Sequence, residues 1–346
     1  MTQGFLRTIL LFSACVTLRA AEGPPLDMYW VDVEGGAGTL IVTPAGESIV
    51  IDTGMPGGRD AKRIAKAAKD AGLRQIDYLF TTHLHMDHFG GAAELSEMIP
   101  IVTVYDNGIP DKNPDNPADT AGFEKSIRPY REMKVQKRVV IHPGDVIPLK
   151  QADSGAKLEL RCIAAMQQTI PGHHGAAGTD CAKAVERAKD TGDNANSIVL
   201  LLKFGDFKMF DGGDLTWNNE AKLVCPENLV GHVDIYDVDH HGLDLSNNPI
   251  LVHSLAPTVA IMSNGTSKGC GAETFHTLKN TSSIQAIYQI HRNLRPDSEN
   301  NTEAEYIANP EKDCEANYIK VSVEPSGKSY TVSIPTKGHS RMFQTR

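Results

Sequence analysis

Between residues 28 and 54 the chain reads as three short apolar runs separated by turn residues: "MYWVDVE" (28–34), "GTLIVT" (38–43) and "SIVIDTG" (48–54), with Pro44, Ala45 and Gly46 between the last two. Runs of this length, rich in β-branched residues and punctuated by Gly and Pro, predict a β-meander. The period then changes. In "GGRDAKRIAKAAKDAG", Ile64, Ala67, Ala68 and Ala71 recur at i, i+3, i+4 and i+7, and Gly72 stands where a helix stops; this predicts a helix. The buried strand "IDYLFTT" follows, then a polar stretch, then "GGAAELSEM", which can start a second helix.

The alternation continues. "IPIVTVYD" and "KLELRCIAA" read as strands, and "NSIVLLLKFGDFKMFDGGD" as two strands around a Gly205–Asp206 turn. "VDIYDVDHHG" and "TVAIMSNG" are strands that end in polar residues, and "YIKVSVEPSGKSYTVSIP" is a closing hairpin. Three polar insertions interrupt the pattern, near 106–135 (with a helix at "FEKSIRPYREM"), 165–196 and 292–316, the last polar enough to be mobile. Strands and helices alternating in both halves predict a layered α/β sandwich, with residues 22–346 as a single domain.

Composition narrows this only in places. Of 346 residues 40% are hydrophobic, enough for a sizeable core. Residues 1–21 differ: Arg7, the run "TILLFSACVTL", then Ala20 and Ala21 form the layout of a cleaved secretory signal peptide. The expected location is therefore secreted or periplasmic. The run is too short to span a membrane, and "FSAC" fits lipid attachment at Cys15 poorly because Phe12 and a short apolar stretch precede it. Losing Arg7 and Arg19 would take the net charge from -9 to about -11, which disfavours a broad nucleic-acid surface but not a phosphate ester at a local cation. Cys270 and Cys314 both lie in polar, loop-like surroundings and are the expected disulfide. Cys162 is expected inside a strand.

The chemistry concentrates in "TTHLHMDHFGG" (81–91), where His83, His85, Asp87 and His88 crowd into six positions at the end of a strand. Buried ionisable groups at such density call for a compensating ion. An extended turn with this spacing can aim His83 and His85 at one cation and Asp87 and His88 at a second. Asp214 in "FDGGDL" and His240 and His241 in "DVDHHG" also end strands, and the glycines before Asp214 let the backbone turn closely.

Taken in order, "VIDTG" (50–54), "THLHMDH" (82–88), "FDGGD" (210–214) and "DHHG" (239–242) resemble the metallo-β-lactamase superfamily. With "WVDVEGGAGTLI" and "NSIVLLL", the chain is most similar to the hydrolase domain of bacterial DNA-uptake competence channel proteins and their secreted relatives, phosphorylcholine esterase among them. The resemblance implies a four-layer αββα sandwich and two zinc ions. It makes His83 and His85 ligands of one ion, Asp87, His88 and His241 ligands of the other, and Asp214 a bridge. His240 would donate to a substrate oxygen, Asp52 would orient a ligand, and Asn264 would touch substrate. A third histidine for the first ion is offered by His173, by His174 or by neither. The implied chemistry is hydrolysis by a dizinc-bound hydroxide, with Asp87 or a water returning the proton. A phosphodiester or related ester, small or polymeric, is the expected substrate. The alternatives are a lactone or β-lactam, or non-catalytic binding of extracellular DNA or wall polymer. Other divalent metals fit the same donors.

Overall fold

The computed structural model describes residues 23–172, 175–296 and 299–346; the expected signal peptide, His173 and His174 lie outside them. One sheet contains β1 (Leu26–Trp30), β2 (Thr39–Val42), β3 (Ser48–Ile51), β4 (Ile76–Phe80), β5 (Ile101–Asp106), β6 (Lys137–Val140), β15 (Ile319–Val323), β16 (Ser329–Ile334) and β17 (His339–Gln344). Its order is β17-β16-β15-β1-β2-β3-β4-β5-β6. The other contains β7 (Leu158–Ala165), β8 (Gln168–Thr169), β9 (Val199–Phe204), β10 (Phe207–Asp211), β11 (Ile235–Asp237), β12 (Val259–Met262), β13 (Ala286–His291) and β14 (Ile307–Asn309), in the order β14-β13-β12-β11-β10-β9-β7-β8.

Alternation along the strands sorts the apolar side chains into three layers. Trp30, Ile41, Ile49 and Phe80 of the first sheet meet Leu160, Leu200, Met209 and Ile261 of the second in the central layer. On the outer face of the first sheet, Leu40, Val50, Leu79 and Val104 pack under α1 (Arg59–Asp70), α3 (Ala92–Met98) and α4 (Thr120–Glu132). On the outer face of the second, Leu201, Phe210, Tyr236 and Ala260 pack under α5 (Trp217–Lys222), α6 (Pro249–Leu255) and α7 (Ala272–Asn280). Helices thus cover both sheets, and the architecture is the αββα sandwich. Truncating one of the Leu, Ile or Met side chains in these layers to Ala would cost on the order of 2–5 kcal/mol.

Helix α1 forms where the 3.6 period predicts it: Ile64, Ala67 and Ala68 are buried, and Gly72, at φ 79°, ends it. Strands β3, β4, β5 and β6 run parallel, as do β10 through β14. Their carboxyl ends leave from one edge of the sandwich, where open α/β sheets bind ligands. The sheets are joined at that edge by Ile198 N–H donating to Thr82 O (2.9 Å).

Two expectations need correction. The disulfide is Cys181–Cys225, whereas Cys314 Sγ donates to Asp32 Oδ2 (3.1 Å) and Cys270 is buried with its sulfur accepting from Gln289 Nε2 (3.0 Å). Residues 292–316 are not wholly an insertion, because β14 within them forms the parallel edge strand beside β13.

Candidate metal centre

Strand β4 ends at Phe80; His83 follows in a bend and His85 in extended backbone (φ -89°, ψ 145°), which brings both imidazoles to the end of the strand. The single turn α2 (Met86–Phe89) then swings Asp87 and His88 round to the second position. The loops after β3 and β1 hold this turn: Thr53 N–H donates to His88 O (2.6 Å), and Ala37 N–H to Asp87 O (3.0 Å). Across the edge, Gly213 at φ 58° lets the chain pass so close to Thr82 that a Cβ there would lie 2.9 Å from the Thr82 Cβ. That close passage delivers Asp214. Asp52, His240 and His241 adopt left-handed backbone, φ 59°, 54° and 57°. Such geometry costs of order 1–3 kcal/mol per residue and is typically kept where function needs it.

The side chains form two groups that share one carboxylate. Asp87, His88, Asp214 and His241 offer ligand atoms within 4.8 Å of one another, and so do His83, His85 and Asp214. Asp214 Oδ1 lies 3.2 Å from His88 Nε2 and 3.4 Å from His241 Nε2. Its Oδ2 lies 3.9 Å from His83 Nε2 and 3.4 Å from His240 Nε2. Asp87 Oδ2 is 3.2 Å from His241 Nε2.

His88, His241 and His83 are held from behind through Nδ1, so that Nε2 faces the centre, whereas His85 is held through Nε2 by Asp115. His88 Nδ1–H donates to Asp52 Oδ2 (2.6 Å) and His241 Nδ1–H to the Ser263 carbonyl (3.1 Å). Thr82 Oγ1 donates to Asp52 Oδ2 (2.6 Å), which leaves it to accept from His83 Nδ1 (3.2 Å). Asp52 therefore sets the tautomer of His88 directly and of His83 through Thr82, as partners of ligating histidines commonly do.

A divalent cation suits this arrangement. His83 Nε2 is buried with no hydrogen-bond partner, and the Nε2 atoms of His88 and His241 face each other at 3.2 Å. Imidazole nitrogen with carboxylate oxygen is a donor set that suits zinc and its neighbours. Charge agrees with this. Burial alone would lower His88, but Asp214, Asp52 and Asp87 outweigh it and draw a proton to the place a cation would take. Burial would raise Asp87 and Asp214, yet the surrounding histidines, with Lys268 beside Asp87, hold both well below the usual carboxylate range, in the anionic form a ligand needs. Burial and then the Asp52 charge push Asp211, behind the site, up to about 7.

Of the remaining expected residues, Asn264 is fully buried and donates to His291 O (2.7 Å) and Gly265 O (3.0 Å). It fastens the loop after β12 and does not face the cleft. Lys268, four residues on, does: its Nζ pairs with Asp87 Oδ2. Sequence reading passed over Lys268, although its place in a strand-end loop was a usable signal. It also passed over Asp115, whose Oδ2 meets His85 Nε2 at 2.9 Å and which comes from a polar excursion with no pattern of its own. Asp193, likewise missed, accepts from Leu84 N (2.6 Å) and ties residues 190–196 to the histidine turn.

Asp32, His291 and Cys314 form a third cluster. His291 Nε2 is 2.6 Å from Asp32 Oδ1 and Arg63 Nη1 is 3.1 Å from Oδ2. That spacing and that cation describe a buried ion pair, with no gap for an ion between the partners.

The Metallo-beta-lactamase superfamily model matches residues 31–186. Among solved structures, the chain is similar to CmlA, a diiron beta-hydroxylase from Streptomyces venezuelae, at 18% identity and TM-score 0.39 over 70% of this chain and 45% of that one. It is similar to MEM-A1, a subclass B3 metallo-beta-lactamase from a soil metagenome library, at 16% identity and TM-score 0.35, covering 76% and 75%. It is also similar to a putative metal-dependent hydrolase from Parabacteroides distasonis, at 14% identity and TM-score 0.39, covering 77% and 98%. The chain spans about half the length of the beta-hydroxylase chains it matches. No curated protein matches it. The family model thus matches segment 31–186, and the two sheets with helices on both faces have the αββα architecture consistent with that fold.

Proposed function

We propose that this chain is an exported metal-dependent hydrolase acting on a phosphodiester or related phosphoryl ester. The observation that carries the reading is Asp214, whose two carboxylate oxygens face two separate ligand groups, His88 and His241 on one side and His83 on the other. Two divalent ions, zinc by the donor set, would be held by His83, His85 and Asp214 and by Asp87, His88, Asp214 and His241, supplying Lewis acidity and a lowered pKa for water.

The chain's own residues position and neutralise. Burial pushes His240 down to about 4, so its ring is neutral at pH 7. With Ser246 Oγ donating to Nδ1 (3.1 Å), Nε2–H is left to donate to a phosphoryl oxygen. Asp87 Oδ2, between His241 and Lys268, is the carboxylate placed to carry a proton to the leaving oxygen. Lys268, the ammonium beside Asp87, favours an anionic ester over a neutral lactone. Export is supported by the pattern of residues 1–21 and by a disulfide that suits an oxidising compartment. Among the described residues no helix is long and apolar enough to cross a membrane.

The test is a substrate panel with the zinc-loaded mature protein: methyl p-nitrophenyl phosphate, p-nitrophenyl phosphate, a lactone and a cephalosporin. The expected result is zinc-dependent turnover of the diester, with kcat/KM at least about tenfold above the rest. Highest turnover of the lactone or cephalosporin would replace the substrate class. Salt-dependent DNA retention with no turnover would replace the enzyme reading itself.

A further inference from the structure

Beside the metal centre lies a cavity of about 460 Å³, within the roughly 300–1,000 Å³ of small-molecule sites. Its lining includes Arg187, Asp190, Asn194, Thr216, Trp217 and Leu245. It shares a wall with the centre. The Asn194 side-chain amide lies 3.4 Å from His240 Nε2. Leu245, 63% exposed, precedes Ser246, which contacts His240 Nδ1.

One side of this cavity is flat and fixed. The Arg187 guanidinium lies over the Trp217 ring, 3.4 Å from its centroid. Arg187 also donates to the Asp244 carbonyl and pairs with Glu273, so its charge is already matched. Asn218 clamps the Arg187 backbone on both sides, accepting from its N–H (2.9 Å) and donating to its carbonyl (2.7 Å). Trp217 Nε1 donates to Val185 O (2.8 Å). The Cys181–Cys225 disulfide anchors the strand of chain leading into this segment to the end of α5. A rigid guanidinium–indole wall beside an exposed leucine, whose carbonyl accepts from Trp217 N–H (3.1 Å), complements a planar ring.

We infer that this cavity is a specificity pocket for a planar, uncharged aromatic or heteroaromatic group carried on the substrate. The inference deepens the hydrolase reading by naming the group next to the scissile ester, and it rests on that reading only for the ester itself.

Binding separates the two. By calorimetric titration of the zinc-loaded protein, phenylphosphonate is expected to bind about tenfold more tightly than methylphosphonate, and more tightly than cyclohexylphosphonate, which matches its bulk but not its flatness. Leu245→Trp, which fills the cavity from an exposed position, and Trp217→Ala, which removes the wall, should each bring phenyl and methyl within about twofold while leaving methylphosphonate affinity unchanged. Equal affinities in the wild type, no binding of either compound, or a phenyl preference that survives both variants would overturn the pocket. Equal phenyl and cyclohexyl affinities would overturn its planarity. A phenyl preference in a protein that turns over no phosphodiester leaves the pocket standing and removes the hydrolase reading; diester turnover with no phenyl preference does the reverse.

Discussion

The two ligand groups that share Asp214 are built differently. Asp87, His88, Asp214 and His241 supply four donors, three of them buried, and the histidines are fixed from behind by Asp52 and by the backbone at Ser263. His83, His85 and Asp214 supply three, and His85 is partly exposed and, among the described residues, steadied by Asp115 on a surface excursion. The two share the strand-end carboxylate of Asp214, but the first draws its other histidines from buried positions, whereas the second depends on His85 and its loop contact. The difference implies unequal affinities, because preorganised donors give up less freedom on binding and are harder for water to displace.

The largest effect that would break this comparison is at the shared residue. Asp214→Ala is expected to lower kcat/KM by at least about 10³-fold, the scale of a lost reaction-centre group, with an unchanged near-ultraviolet circular dichroism spectrum. Loss of less than about tenfold would mean that the two groups do not work through Asp214. Next, His241→Ala and His85→Ala probe one group each. The first should lose about 10²–10³-fold in kcat/KM at any zinc concentration, and the second only about tenfold, recovering in excess zinc, on the transition-state arithmetic of partial occupancy. The reverse order, read from activity against free zinc, would invert the assignment. Asp52→Asn should weaken both groups together, by about 10–100-fold in zinc affinity, since it orients His88 directly and His83 through Thr82; a chelator competition that shows only one ion loosened would restrict Asp52 to a single histidine. The smallest change is Asp115→Ala, expected to loosen the His85 ion a fewfold and leave the other untouched, as removal of an exposed partner worth about 1 kcal/mol or less does.

The same contrast governs what could be read from sequence. The groups rooted in strand ends were legible because an apolar run followed by Asp or His is a local signal: His83, Asp214 and His241 each close or follow such a run. Asp115 and Asp193 were not, because their roles depend on how two polar excursions fold back, which no periodicity encodes. Most of the meander and the parallel strands around the site lie where the apolar runs predict them. Strand β13, "AIYQIH", was missed because it is buried on both faces and carries Gln289 and His291 inside it, so neither alternation nor a clean apolar run marks it. Polar surroundings suggested pairing Cys270 with Cys314, but the bridge joins Cys181 to Cys225. Those cysteines sit in the 165–196 excursion and beyond α5, 44 residues apart, and meet only through tertiary packing. Asn264 looked like a cleft residue from its strand-end position, yet its amide is used to fasten its own loop to β13.

The most direct test of the central claim, that separate segments close around a pair of cations, is a calorimetric titration of zinc into the metal-free protein. The account predicts two ions per chain in two resolvable steps, the tighter abolished by His241→Ala, the weaker by His85→Ala and both by Asp214→Ala. Absence of saturable uptake, or uptake that all three variants leave unchanged, would contradict it.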